Sequence, residues 1–284
     1  MLGHVSSGPP DNRKERPPRR GLAALLVGVS LVGVALADPL PFRQYPGVEY
    51  YDFELPTDFR VPAEWVFARL MYPSLGWGGQ WQYGGTSWTI DYPRGDRHIA
   101  ALVRRLSVID ARSVEQPVNL EDGDDVFNWP WLYAVEVGQW DLTDSQAAQL
   151  REYLLRGGFL MVDDFHGTRE WANFEAQMKK VFPERQIEDV DISEPIFHCF
   201  FDIEKLFELP GLQFLYSHRM FEKDGKAPRY AAIYDDNHRI MVMINHNVDI
   251  GDAWEWADLP QYPARYTTQA YRLGVNYIVY ALSH

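Results

Sequence analysis

Several residue types that define protein classes are scarce in this sequence. Cysteine occurs once, at Cys199, which excludes an intrachain disulfide framework and a zinc site built mainly from thiolates. Lysine and arginine total 27 against 40 aspartates and glutamates, giving a formal net charge of −13. Because each nucleic-acid phosphate contact needs a cation, this balance argues against nucleic acid as a partner. The 46% hydrophobic and 14% aromatic content indicates a globular domain.

Long apolar runs are also scarce, and the main one lies near the N-terminus. Residues 1–20 are rich in proline and arginine, residues 22–36 are apolar, and the run ends at Ala35-Leu36-Ala37. This order is that of a secretory signal peptide, and the run is shorter than the roughly 20 residues of a membrane-spanning helix. We expect a signal peptide at 1–37, cleaved after Ala37, with a retained N-terminal membrane anchor as the alternative.

Cleavage would give an exported protein of the periplasm or cell envelope with no membrane insertion. Both the general secretory and the twin-arginine routes remain open, since Arg19-Arg20 precedes the apolar run. Residues 38–62 contain five prolines, a density that prevents regular helix and predicts an extended entry segment. Residues 63–284 are then expected to form a single α/β domain of unknown function.

Apolar periodicity predicts alternating strands and helices in this domain. The expected strands lie at 65–72, 87–92, 131–137 and 159–162. The expected helices lie at 94–106, from a capping box at Thr143 onward, and at 168–181. Short connections between such elements favour right-handed crossovers and a mainly parallel sheet between two helix layers.

The later part of the chain predicts an addition to this sheet. Strands at 230–234 and 239–244 flank the turn residues Asp235-Asp236-Asn237, which indicates a β-hairpin. A final amphipathic helix is expected at 266–282. The predicted fold class is therefore α/β, with a C-terminal β-hairpin and helix.

A glycine-rich loop at 76–85 carries three aromatic residues. It has no cation and opens no predicted helix, so it does not fit a phosphate-binding loop. The aromatic side chains either fold back onto the core or form a lid or stacking platform for a ring-shaped ligand such as a sugar. These residues are Trp77, Trp81 and Tyr83.

Polar side chains follow the predicted strands at their carboxyl ends. In an open parallel sheet, ligands bind beyond those ends, where successive strands bring their loops together. The sequence therefore predicts a ligand site at this edge. The candidate residues are Asp91, Asp96, Glu136, Asp163, Asp164, His166, Asn245, His246, Asp249 and Asp252.

The sharpest group is Asp163-Asp164-Phe165-His166. A carboxylate and an imidazole can share a divalent metal or act as a base with its orienting partner, and Asp163 with His166 is the candidate metal pair. Adjacent residues of a strand point to opposite faces, so we expect only one carboxylate in the crevice. Alternatively, Asp164 or His166 caps the following helix. Residues 245–252 suit either a calcium-like or mixed metal site or a plain turn.

Covalent catalysis finds little support, since no G-x-S-x-G elbow occurs and Cys199 lacks a glycine-flanked turn. Four blocks, at 91–94, 150–167, 247–255 and 270–277, resemble the bacterial domain-of-unknown-function family numbered 4159. The resemblance implies a class I glutamine amidotransferase-like fold, a flavodoxin-like three-layer sandwich. The amidotransferase nucleophile does not carry over, because no candidate elbow holds a cysteine.

The first hypothesis is an exported α/β domain that binds a small molecule or an envelope protein at the carboxyl edge of the sheet. The second is a metal-assisted hydrolase that uses the same Asp/His cluster. The third is a structural envelope component without pocket chemistry. The sequence identifies no cofactor, and it leaves open whether the protein is an enzyme.

Overall fold

A seven-stranded sheet forms the centre of the fold. The computed structural model describes residues 38–76 and 80–284, together with Met1 and Gly3. The strands are β1 (Ala68–Met71), β2 (Gln116–Asn119), β3 (Trp131–Val135), β4 (Phe159–Phe165), β5 (Glu188–Asp189), β6 (Arg229–Tyr234) and β7 (Ile240–His246). Their order in the sheet is β2-β1-β3-β4-β7-β6-β5. Strands β2, β1, β3, β4 and β7 are mutually parallel, whereas β6 is antiparallel to β7 and to β5.

Helices cover both faces of this sheet. They are α1 (Arg94–Leu106), α2 (Asp144–Leu155), α3 (Gly167–Val181), α4 (Phe214–Ser217), α5 (Ile250–Glu255) and α6 (Ala264–Ser283). In β3, Trp131 and Tyr133 pack into the apolar core that holds α1, α5 and α6, while Leu132 packs into the core that holds α2 and α3. Burial on both faces explains why this strand is a continuous apolar run. The mixed α/β class and the mainly parallel sheet are confirmed.

Several predicted elements form with nearly the expected bounds, because their apolar spacing or capping residues fit only one type of secondary structure. Helix α1 covers 94–106 as predicted. At the start of α2, Thr143 Oγ1 accepts from the Gln146 backbone N–H at 3.2 Å, and Gln146 Oε1 accepts from the Thr143 N–H at 3.0 Å. Strands β6 and β7 are joined by a turn in which the Asp235 N–H donates to the Arg239 carbonyl.

The prediction of a strand at 87–92 is wrong. Residues Ser87–Thr89 form a short 3-10 helix. The guanidinium of Arg69 binds the carbonyls of Trp88 at 3.0 Å and Ile90 at 2.9 Å, so these groups are unavailable to a strand ladder. Strand β2 was not predicted: it is short, lies at the sheet edge and contains Pro117, which an edge strand tolerates.

Residues 38–62 contain no helix or strand. They bind the domain through separate hydrogen bonds, such as the Leu40 N–H to Asp125 Oδ1 at 2.8 Å and Arg97 Nη1 to the Glu54 carbonyl at 2.8 Å. The predicted signal peptide and its cleavage point at Ala37 lie outside the described residues, except for Met1 and Gly3. No helix in the described ranges combines the length and apolar character needed to cross a lipid bilayer.

The buried ion pair between Arg69 in β1 and Asp96 in α1 provides a test of what stabilises this part of the domain. The Arg69 side chain is 1% exposed and forms a buried ion pair with Asp96, with Nε 2.8 Å from Oδ2. Replacing it (Arg69→Met) leaves a buried carboxylate without its cation, so we expect a loss of about 3–5 kcal/mol in the free energy of unfolding, measured with urea. The control Arg156→Met removes an exposed pair with Glu152 and should lose less than about 1 kcal/mol. Equal losses in the two variants would contradict this account.

Candidate functional site

Left-handed backbone recurs at the carboxyl edge of the sheet. The residues are Asp91 (φ 61°), Glu136 (φ 52°), Asp164 (φ 50°) and Asn247 (φ 59°). This region is sparsely populated by residues other than glycine, although Asp and Asn tolerate it better than most. Such conformations persist where the surrounding structure holds them, and they cluster at binding and active sites. Here the left-handed residues turn the chain so that several carboxylates lie close together at the carboxyl edge of the sheet.

Strand β4 shows how two adjacent carboxylates reach this edge together. Its register with β7 shifts between Val162 and Phe165, and the left-handed Asp164 lies inside the shift. The strict alternation expected from the sequence therefore does not apply to this pair. Asp163 Oδ2 accepts from the backbone N–H groups of Ile250 and Gly251, both at 2.8 Å, and so binds the start of α5.

Asp164 makes the contact that the sequence analysis assigned to Asp163. Its Oδ1 lies 3.0 Å from His166 Nε2. Asp163 instead uses Oδ2 on α5 and on the Tyr133 hydroxyl at 3.3 Å. His166 also holds the N-cap position of α3, but without a capping bond from its side chain. The expected Asp/His pair is thus Asp164 with His166.

Five acidic residues form what we call the carboxylate centre: Asp91, Asp164, Asp249, Asp252 and Glu255. One oxygen each from Asp91, Asp164 and Asp249 lies within 4.8 Å of the others, and the same holds for Asp91, Asp252 and Glu255. Four of the five side chains are buried, Asp252 being half-buried. Within the described ranges, no Lys or Arg nitrogen lies within 4.0 Å of any of them.

Hydrogen bonds satisfy only part of this centre. Asp249 Oδ1 accepts from the Asp252 N–H at 2.8 Å, and Asp252 accepts from the Leu212 N–H at 2.5 Å and from Trp256 Nε1 at 2.9 Å. Asp91 Oδ2 and Glu255 Oε1 are buried and have no hydrogen-bond partner among the described residues.

Burial has a large electrostatic effect on these groups. It raises the pKa of Asp91, Asp164 and Asp249 well above the usual range, and the neighbouring carboxylates raise each of them further. Burial also raises the pKa of Glu255 to about 8, with Asp252 adding to the effect. The centre therefore holds protons at neutral pH unless a cation replaces them.

A second group surrounds His166. One ligand atom each from His166, Asp164 and Glu222 lies within 4.8 Å of the others. The His166 backbone N–H donates to Glu170 Oε2 at 2.7 Å, and Lys223 Nζ lies 2.5 Å from Glu170 Oε1 and 3.9 Å from Glu136 Oε2. Burial lowers the pKa of His166, which favours the neutral ring.

A cavity of about 600 Å³ adjoins this second group. Its wall has the charged or titratable side chains of His166, Arg169, Glu170, Lys223 and Asp224. Gln139 and Asn173 contribute amides, and Leu75 contributes one apolar side chain. The cavity is large enough for a small polar molecule beside the imidazole.

The other candidate residues at this edge have structural contacts. Asp96 pairs with Arg69 and does not reach the carboxylate centre. Asn245 Nδ2 donates to the Val162 carbonyl at 2.9 Å, and Asn247 Oδ1 accepts from the Gly167 N–H at 2.8 Å. His246 Nε2 donates to the Gly167 carbonyl at 3.1 Å, and its ring packs against Phe165 and Trp171.

The aromatic loop divides between core and surface. Trp81 is 6% exposed, and its carbonyl accepts from Trp88 Nε1 at 2.8 Å, so this side chain packs onto the core. Tyr83 is 65% exposed. Trp77 lies outside the described residues, so the lid or platform hypothesis stays a prediction.

Three site residues were missed from the sequence: Glu255, Glu222 and Glu170. Glu255 lies three residues after Asp252, one helical turn away in α5, and that spacing was the available signal. Glu222 lies in the charged loop between α4 and β6, and it does not follow the carboxyl end of any strand in the sequence.

Cys199 is half-buried, with Sγ 3.1 Å from the Asn276 carbonyl, and burial raises the pKa of its thiol.

The family model for a domain of unknown function, DUF4159, matches residues 79–282. The chain belongs to this family. Comparison with curated proteins gives no match. The DUF4159 description names no reaction, so the function has to be argued from the site itself.

The carboxylate centre predicts how stability depends on pH when cations are removed. Glu255 titrates near 4.5 when exposed and near 8 when folded, so the folded state binds more protons between these values. The free energy of unfolding must therefore fall as pH rises through this window. His246 has the opposite effect, since burial lowers its pKa from 6.5 to about 4, but that contribution is complete above pH 6.5.

We expect urea unfolding in EDTA to show a decrease of about 1–2 kcal/mol from pH 6.5 to pH 8. The matched variant Glu255→Gln removes one titrating group and should show a smaller decrease. Stability that stays constant or rises with pH in wild-type protein would contradict the raised pKa values.

Proposed function

We propose that this DUF4159 domain binds a divalent cation with oxygen ligands, such as Mg²⁺ or Ca²⁺, at the carboxylate centre. The observation that supports this most directly is the convergence of Asp91, Asp164 and Asp249 within 4.8 Å, all buried. At that separation, two ionised carboxylates repel by about 3–4 kcal/mol for an effective dielectric constant of 20. A bound dication turns this repulsion into attraction.

The donor set supports a hard cation. All five side chains offer carboxylate oxygen, the ligand that Mg²⁺ and Ca²⁺ prefer. Asp91 Oδ2 and Glu255 Oε1 are fully buried oxygens with free lone pairs, since no described residue donates to them. A purely structural role would leave these two buried oxygens without a hydrogen-bond partner among the described residues.

The position of the centre also supports ligand binding. The parallel strands follow the order β2-β1-β3-β4-β7, which is the order 2-1-3-4-5 of flavodoxin-like sandwiches, and we propose that fold type for the domain. Asp164 lies at the carboxyl end of β4, where such sheets bind their ligands. Metal-assisted hydrolysis is the second candidate function, and the cavity beside His166 is the observation that favours it.

Cation binding can be tested on chelated protein by calorimetric titration with Mg²⁺ and Ca²⁺ and by thermal melting. We expect binding of one ion per chain, and at 100 times Kd a gain of about 2.7 kcal/mol, or roughly 5–10 °C in Tm. Asp91→Asn and Asp249→Asn should weaken binding by about 10-fold or more. Asp236→Asn, on an exposed turn, should leave it unchanged.

The chelated Asp91→Asn protein provides the control for folding. Removing one of several mutually repelling carboxylates should leave its stability in EDTA equal to or above that of wild type. A folded variant without the cation-dependent gain supports the proposal. The proposal fails if wild-type protein gains no stability and releases no heat with millimolar Mg²⁺ or Ca²⁺.

We also propose that the domain acts after export, which rests on the leader sequence alone. Expressed in bacteria as the full chain, the protein purified from the envelope fraction should begin at Asp38, since the Ala35-Leu36-Ala37 motif directs cleavage there. N-terminal sequencing checks this. An intact leader on the envelope protein would support the anchored alternative instead.

A further inference from the structure

We infer that Asp164, His166 and Glu222 form a second metal site, selective for a transition metal such as Zn²⁺, beside the 600 Å³ cavity that His166 lines. The second site is argued from its own three residues. Only its coupling to the carboxylate centre, through the shared Asp164, rests on the function proposed above.

The geometry brings one imidazole and two carboxylates close together. A nitrogen of His166 and one oxygen each of Asp164 and Glu222 lie within 4.8 Å of one another, and Asp164 Oδ1 is 3.0 Å from His166 Nε2. A tetrahedral zinc ion with bonds of 2.0–2.1 Å holds its ligand atoms about 3.3 Å apart. Small side-chain rotations therefore bring this group to zinc geometry.

The imidazole itself points to a missing ligand. His166 is 2% exposed, yet its Nδ1 has no hydrogen-bond partner in the part of the chain that the structure describes. An unpaired buried acceptor costs about 1–3 kcal/mol. Nε2 already has Asp164 as its partner, so a metal bound at Nδ1 would supply the one partner that the ring lacks.

The surrounding contacts hold His166 and the loop of Glu222 in place. The His166 backbone is fixed by Glu170 at 2.7 Å. The loop that carries Glu222 is fixed directly after it, since Lys223 Nζ binds Glu170 at 2.5 Å and Asp224 Oδ1 accepts from the Thr168 N–H at 2.8 Å. Lys223 is thereby neutralised by carboxylates and does not exclude a metal cation.

The donor set separates this site from the carboxylate centre. Imidazole nitrogen favours zinc and similar transition metals, whereas a site of oxygens alone favours Mg²⁺ or Ca²⁺. Three protein ligands also leave one coordination position for water or for a molecule in the cavity. Two unlike cations bridged by Asp164 are the arrangement that these residues predict.

The experiment measures Zn²⁺ and Mg²⁺ binding separately on tag-free, chelated full-length protein. Competition with a chromophoric chelator gives the Zn²⁺ affinity, and Co²⁺ in place of Zn²⁺ reports tetrahedral nitrogen and oxygen ligation through its visible absorption bands. His166→Gln and Glu222→Gln should each weaken Zn²⁺ binding by roughly 100-fold and abolish the Co²⁺ bands, with Mg²⁺ binding retained.

Other variants complete the assignment. Asp91→Asn should weaken Mg²⁺ binding and leave the Co²⁺ bands, whereas Asp164→Asn should weaken both. His238→Gln, an exposed histidine, is the matched control and should change neither. Glu222 is half-buried on a loop, so Glu222→Gln keeps the fold, and melting in EDTA verifies this.

The outcomes are distinct for the two sites. Zn²⁺ binding that depends on His166 and Glu222 supports the second site, even if Mg²⁺ does not bind and the proposed function fails. Absence of Zn²⁺ binding, or binding that is unchanged in both His166→Gln and Glu222→Gln, overturns the inference. Mg²⁺ binding alone overturns the second site and leaves the first.

Discussion

Repulsion among buried carboxylates is the constraint on which this structure depends. Asp91, Asp164 and Asp249 come from three separate segments of the chain, and each is removed from water within 4.8 Å of the other two. Left-handed backbone at Asp91 and Asp164 is needed to bring them together. A fold that strains its backbone to bring like charges together requires either protons or a cation at that point.

The same domain shows how it treats buried carboxylates that serve only the fold. Asp96 is paired with Arg69, and Glu115 with Arg97 at 2.9 Å, whereas the buried Asp163 is held by the backbone N–H groups of Ile250 and Gly251. The carboxylate centre has no such arginine within ion-pair distance in the described ranges. Asp91 and Glu255 differ from these structural residues, since Asp91 Oδ2 and Glu255 Oε1 have neither an arginine nor a hydrogen-bond donor among the described residues.

Some helices, strands and candidate site residues could be predicted from the sequence and others could not, for physical reasons. Helix α1 was predictable because its apolar residues follow the helical period, and β3 because it is a short, continuous apolar run. The strand predicted at 87–92 does not form because Arg69 binds the carbonyls of Trp88 and Ile90. Asp164 and Asp249 follow β4 and β7, so the parallel sheet predicts them at one edge. Asp91 was predicted at the end of a strand that does not form, and it lies in the connection between β1 and α1. Glu222 could not be predicted, because it lies in the loop between α4 and β6 and follows no strand end. The register shift in β4 that reorients Asp164 has no recognisable sequence pattern either.

Helix α5 connects the site to the rest of the fold. Asp163 binds its first two N–H groups, Asp249 caps it, and it carries Asp252 and Glu255. Gly251 is required there, since a Cβ would lie 2.1 Å from Asp91 Oδ2. A cation held by Asp91, Asp164 and Asp249 would therefore join the segment before α1, the end of β4 and the start of α5. Occupancy and stability must then be linked, because the ligands are brought together only when these three elements are packed.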